Sequence, residues 1–147
     1  MKPFPHHYKV TASAFEVSAI ELASSGLRSL ISASPAEFDG PGSLWSPETF
    51  FIGAVSGCFI LTFRAIAKAS KLSWSSLVCD ADGTVDRSEG ATSFTAIRTR
   101  AKLVIPNAAD MEKAKRLLEK TEKSCLIANS LKIVPQLELE IAVEQAA

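Results

Sequence analysis

The stretch SPETFFIGAVSGCFILTF, from Ser46 to Phe63, constrains this chain more than any other, because a marked helix start runs directly into an almost wholly apolar segment. Ser46 can cap orphan amides, Pro47 suits the first helical position, and Glu48 places an anion in the first turn, where the helix dipole favours one. From there to about Ala69 the sequence reads as one helix, apolar on nearly every face, and such a helix is expected to be enclosed by other elements. The apolar run from Phe50 to Phe63 is about 14 residues, short of the roughly 20 that span a bilayer. It also contains Gly53, Ser56 and Gly57, so it is read as a buried core helix and no membrane partner is expected.

The 147 residues are 47% hydrophobic, enough for one compact domain over residues 1–147 and too few for two. Lysine plus arginine and aspartate plus glutamate stand at 16 each, which leaves no basic footprint for nucleic acid or an anionic membrane. The segment MKPFPHHYKV lacks the apolar core of a signal peptide, and a cytoplasmic protein is expected. In that compartment the 3 cysteines do not suggest a structural disulfide framework, so any pairing is redox chemistry. The histidines His6 and His7 are adjacent and no CxxC or HxxxH spacing occurs, so no metal is expected.

Alternation in the first third, through Tyr8, Val10, Val17, Ile20, Leu22, Leu27 and Ile31, predicts an antiparallel meander of half-buried strands. SASPAEFDGPGSLWSPE then reads as a long loop leading into the central helix. After that helix, SWSSLVCDADGTVDR and SFTAIRTRAKLVIP read as strands around a turn at Ser88–Ala91. Ile97, Thr99, Ala101, Leu103 and Ile105 share one face, and Arg98, Arg100 and Lys102 form a solvated basic stripe opposite. A second helix opens at Asn107 and Asp110, a capping pair, and places Met111, Ala114, Leu118, Thr121 and Cys125 on its buried stripe. A last alternating strand carries Ile133, Pro135, Leu137, Leu139 and Ile141. The order is strands, long helix, strands, helix, strand, an α/β (α+β) arrangement.

Within this arrangement Glu48 stands at the start of the central helix, after Pro47, and Cys58 follows ten residues later; SCLIANSLK adds Cys125 with Asn129 four residues on. The two motifs and the order of elements over nearly the whole chain resemble those of the OsmC/Ohr family. The resemblance implies an OsmC-like fold, antiparallel sheets packed around a long central helix, in an obligate intertwined homodimer. It further implies reduction of an organic hydroperoxide, with Cys58 peroxidatic, Cys125 resolving and a dithiol, either a lipoyl-type protein or a small thiol, reopening the disulfide. No bound cofactor is implied. Trp45, Phe50, Phe51, Phe59 and Asn129 are candidates for the pocket lining. Asn129 also suits a turn after the second helix, and Glu48 also suits a first-turn dipole partner.

Ten residues of helix at about 1.5 Å each put Glu48 roughly 15 Å from Cys58 in the same chain. If both serve one site, Glu48 comes from a partner subunit or the helix breaks near Gly53 or Gly57. A thiol in mid-helix and apolar surroundings has its pKa raised, so activation calls for a cation. The family's hydroperoxide reductases supply an Arg near the N-terminus, and SAFEVSAIELASSG has none. Arg28 is the nearest substitute, ahead of His6, His7 and Arg64, and is placed on the third strand. Cys79, outside both motifs, is read as a small core hydrophobe. The rival function on the same fold is a non-catalytic binding protein that holds a small molecule such as a lipid-derived ligand beside a protonated Cys58.

Overall fold

The computed structural model describes residues 2–144, apart from the side chain of Ser88. The backbone divides into two compact units, Met1–Phe51 and Ile52–Ala147.

In the first unit, β1 (Thr11–Ser13), β2 (Ile20–Ala23) and β3 (Leu30–Ser32) form the expected antiparallel meander in the order β1-β2-β3. Strands of 3 or 4 residues bury little. Tyr8, Val10, Val17, Leu30 and Ile31 are accordingly exposed. The long loop is pinned at its ends, where Ser32 bridges to Trp45 and the Ala33 amide donates to the Trp45 carbonyl at 3.2 Å. Inside it the chain passes so close to itself that a Cβ at Gly40 would overlap the Ser34 carbonyl, which is why a glycine stands there.

Helix α1 (Pro47–Ala69) begins where the sequence marks it. The Ser46 hydroxyl accepts from the Thr49 amide at 3.2 Å, and the Thr49 hydroxyl accepts from the Ser46 amide at 2.7 Å, a reciprocal cap. Losing the Ser46 hydroxyl leaves the Thr49 amide without this partner. Ser46→Ala is expected to lower unfolding free energy by about 1 kcal/mol. Urea titration reads this directly, and an unchanged midpoint would show that the cap contributes nothing.

The second unit is built on β4 (Ser76–Ser88), β5 (Ala91–Ile105) and β6 (Gln136–Val143), in that order across the sheet. Glu89 and Gly90, with φ of 51° and 81°, make the two-residue turn between β4 and β5, whose left-handed backbone matches the twist of the paired strands. On β5 the predicted inward row is buried: Ile97, Thr99, Ala101, Leu103 and Ile105. The opposite row is exposed and pairs across to β6, with Arg98 and Arg100 on Glu138 at 3.5 and 3.2 Å and Lys102 on Glu140 at 2.8 Å. Half-exposed pairs of this kind contribute little stability.

Against the inward row pack Phe59, Phe63 and Ala67 of α1 and Ala114 and Leu118 of α2 (Met111–Ser124). Asn107 caps the turn ahead of α2 by accepting from the Ala109 amide at 3.0 Å, whereas Asp110 makes no side-chain cap.

Two larger differences from the sequence reading concern β6 and α1. Strand β6 runs parallel to β5, so this sheet is mixed rather than antiparallel. Its alternation is the same in either direction, and the helical segment between Met111 and Asn129 supplies the long return that a parallel neighbour needs. Secondly, α1 is not enclosed on nearly every face. Val55, Phe59, Phe63 and Ala67 are its buried stripe, while Ala54, Gly57, Leu61 and Ala65 remain exposed. With 23 residues and an 18-residue stretch of mean hydropathy 1.9, α1 is long and apolar enough to cross a membrane by length and composition alone. Here its buried stripe lies on the sheet.

Candidate active site

Cys58 and Cys125 are brought together from distant parts of the second unit. Cys58 lies midway along α1, half-buried, and Cys125 is buried at the end of α2. At Cys125 the backbone turns extended (φ −68°, ψ 113°), so one residue both ends α2 and precedes α3 (Leu126–Asn129). That interruption leaves the first amides of α3 without helical carbonyls to bond.

Those amides face sulfur. Burial opposes ionisation of Cys58, but the Ile127 amide, the Cys125 thiol, the Thr62 hydroxyl and the Leu126 amide all hydrogen-bond its sulfur and outweigh it. The Cys58 thiol therefore sits below its ordinary value. Cys125 moves the opposite way: burial raises it, the Ala128 amide pulls it down, and the neighbouring Cys58, whose sulfur accepts from it and carries the charge, raises it again. The two neighbouring thiols are thus shifted in opposite directions, Cys58 down and Cys125 up. This corrects the expectation that burial leaves Cys58 raised unless a cation compensates, since backbone dipoles and hydroxyl donors act in its place.

Thr62, one turn after Cys58 with its hydroxyl 3.8 Å from the sulfur, was not among the candidates, although its i+4 spacing was visible in the sequence. The amides of Leu126 and Ile127 have no side-chain signature and could not be found that way. Iodoacetamide labelling of Cys58 against pH is expected to give a midpoint below that of an ordinary thiol, and Thr62→Val to move it upward. Peptide mass spectrometry separates the cysteines, and a wild-type midpoint at or above the ordinary value would remove the activation.

Asn129 donates from Nδ2 to the Lys123 carbonyl at 3.0 Å, and its amide donates to the Cys125 carbonyl at 2.9 Å. It ties α3 back to the end of α2 and so fixes the turn that carries Cys125. A cavity of about 540 Å³ adjoins this turn. Val55, Phe59, Leu131, Val134 and Pro135 form apolar walls. Cys125, Thr99, Asn129, Glu122 and Lys123 supply the polar part. Of the pocket residues expected from sequence, Phe59 and Asn129 line this cavity. Trp45 and Phe50 stack on one another in the first unit, their rings 5.5 Å apart, and Phe51 follows Phe50 on α1.

Arg28 is exposed and lies in the connection between β2 and β3, not on the third strand. Glu48 lies in the first turn of α1, where its Oε2 is buried with no hydrogen-bond partner among the described residues. Cys79, on β4 opposite Ala101, packs at the margin of the core. Burial first, then Asp80 and Cys125, push it up to about 11. It is a protonated core side chain at neutral pH.

A helix laid on a mixed sheet, with a low-lying thiol held against a second thiol at a helix break, defines an α+β protein with a paired-cysteine site. The family model for OsmC-like protein matches residues 40–140, and the chain belongs to that family. It is similar to the uncharacterized protein YmaD of Bacillus subtilis (strain 168), at 31% identity over 113 residues and 75% of each chain. An OsmC-like protein of unknown function from Vibrio cholerae has a similar structure, with a TM-score of 0.84, 18% identity and coverage of 92% of this chain and 99% of that one. So does an organic hydroperoxide resistance protein OsmC from Legionella pneumophila, with a TM-score of 0.75, 20% identity and coverage of 96% and 100%. At these identities the structural likeness shows the shared fold. The family includes organic hydroperoxide resistance proteins.

Proposed function

We propose that this protein is a cysteine-dependent reductase of organic hydroperoxides, with Cys58 the peroxidatic and Cys125 the resolving residue. The observation that carries the reading is the contact between two thiols of unlike acidity, one of them lowered. The Cys58 thiolate attacks the distal oxygen of the hydroperoxide, the O–O bond breaks, and the alkoxide leaves and takes a proton to become the alcohol. Cys58 is then a sulfenic acid. The Cys125 sulfur displaces its hydroxyl as water and closes a disulfide, which an external dithiol reopens. The cycle uses no bound cofactor.

The working unit in this reading is a homodimer in the cytoplasm. Two features support it: the exposed apolar stripe of α1, and the exposed apolar side chains around the short strands of the first unit. Helix α1 runs unbroken through Gly53 and Gly57, which removes a helix break as the way to bring Glu48 to its own Cys58. Glu48 then serves the partner's site, and Arg28 is the candidate cation for its unpartnered carboxylate oxygen. The rival reading, a small-molecule binder, draws on the largely apolar cavity but needs a protonated Cys58, which the donors around that sulfur disfavour.

The test is a count of free thiols in reduced, then denatured, protein before and after one equivalent of an organic hydroperoxide. Loss of two thiols per chain is expected. No loss over minutes would leave the binding reading standing.

A further inference from the structure

Cys125 forms part of the wall of the cavity beside α3, and Cys58 is not among its lining residues. The two residues of the pair are thus unequally placed toward that space, Cys125 lining it while itself almost fully buried. Resting on the reading above that they form a disulfide, we propose that a thiol reductant enters this cavity and reopens the bond by attacking Cys125, with Cys58 as the leaving group.

The reaction balances without any further reactant. A thiolate of the reductant bonds to the Cys125 sulfur, and the electron pair of the broken S–S bond departs on Cys58 as thiolate. The second thiol of the reductant, giving up its proton, attacks its own sulfur in the mixed disulfide and expels Cys125 as thiolate. Cys125 takes up a proton, and the reductant departs as a cyclic disulfide. Two electrons and one proton pass from the dithiol monothiolate to the protein, which is left with Cys58 as thiolate and Cys125 as thiol.

Three observations favour this direction. Thiol exchange runs faster when the leaving sulfur is the more acidic one, and the amides of Ile127 and Leu126 and the Thr62 hydroxyl stabilise Cys58 as it departs. The cavity, at about 540 Å³, admits a small dithiol on an alkyl stem. Its walls at Val55, Leu131 and Val134 suit such a stem, while Glu122 and Lys123 supply charges of opposite sign, so the lining selects for no strongly charged carrier.

The experiment starts from the Cys79→Ser protein oxidised with diamide, so that the disulfide is installed without a peroxide. A substoichiometric pulse of 2-mercaptoethanol, acid quenching and alkylation of free thiols are followed by peptide mass spectrometry. The adduct is expected on Cys125 with Cys58 free, in about tenfold excess over the reverse. An adduct mainly on Cys58 overturns the inference. In Val134→Trp, which narrows the mouth at a largely exposed position, reduction of the diamide-formed disulfide by dithiothreitol is expected to slow about tenfold. Unchanged reduction removes the cavity as the route. If diamide fails to link Cys58 to Cys125, this inference falls together with the reading beneath it; if only the hydroperoxide fails to do so, that reading falls alone.

Discussion

Replacing Cys58 with serine is expected to abolish the loss of thiols on exposure to an organic hydroperoxide and to lower peroxide turnover by at least about a thousandfold. The size of the effect follows from what serine cannot do. The nucleophile is a thiolate, and the donors from Ile127, Cys125, Thr62 and Leu126 that favour it around Cys58 cannot ionise an alcohol near neutral pH. Cys125→Ser separates the two roles. It should leave the first step intact and stop at the sulfenic acid, which dimedone traps as a stable adduct on Cys58. Cys79→Ser should leave both steps unchanged, because that thiol, pushed up to about 11, is protonated throughout the working range. A Cys58→Ser protein that still consumes hydroperoxide at the wild-type rate would take the chemistry away from this pair.

Phe63→Ala is expected to cost about 3–5 kcal/mol of unfolding free energy, the largest effect of any single truncation considered. Phe63 is fully buried, packs with Phe59 and Ala67 on Leu103 and Ala101, and meets Trp74 edge-on with ring centroids 5.6 Å apart. Removing the ring forfeits both the transfer of its apolar surface and the contacts that surround it, since a packed interior closes such a void incompletely. Against a total stability of about 5–15 kcal/mol, this takes roughly a fifth or more of the margin. Urea unfolding at fixed protein concentration, followed by tryptophan fluorescence, reads it as a lower midpoint at unchanged slope. A shift below about 1 kcal/mol would mean that α1 is not anchored on the sheet through this ring.

Much of the fold was legible because side-chain identity encodes it. Ser46, Pro47 and Glu48 marked the start of α1 to the residue, and the alternation from Ile97 to Ile105 gave the buried face of β5. The spacing from Met111 to Cys125 placed the second thiol on a buried stripe, and the family resemblance paired it with Cys58. What escaped the sequence is carried by the backbone. The parallel course of β6 leaves no trace in a pattern of period two. The extended residue at Cys125, which frees the Leu126 and Ile127 amides, has neither glycine nor proline to announce it. A cation was therefore sought to lower Cys58, with Arg28 as the candidate, when part of the lowering comes from main-chain N–H groups. The aromatic residues were read as one pocket because they cluster in sequence. In space Trp45 and Phe50 stack on each other in one unit, while Phe59 lines a cavity in the other.

The parallel pairing of β5 with β6 also sets the order in which a nascent chain acquires its chemistry. Cys125 rides on the connection between those two strands, and that connection is held at its far end by β6, which ends at Val143. Such a non-local pairing forms late, after local hairpins such as that of β4 and β5. On that order Cys58 meets Cys125 and the Leu126 and Ile127 amides only late in assembly. The donors that lower its thiol, and with them the reactivity proposed for it, would then arrive after most of the chain has been made.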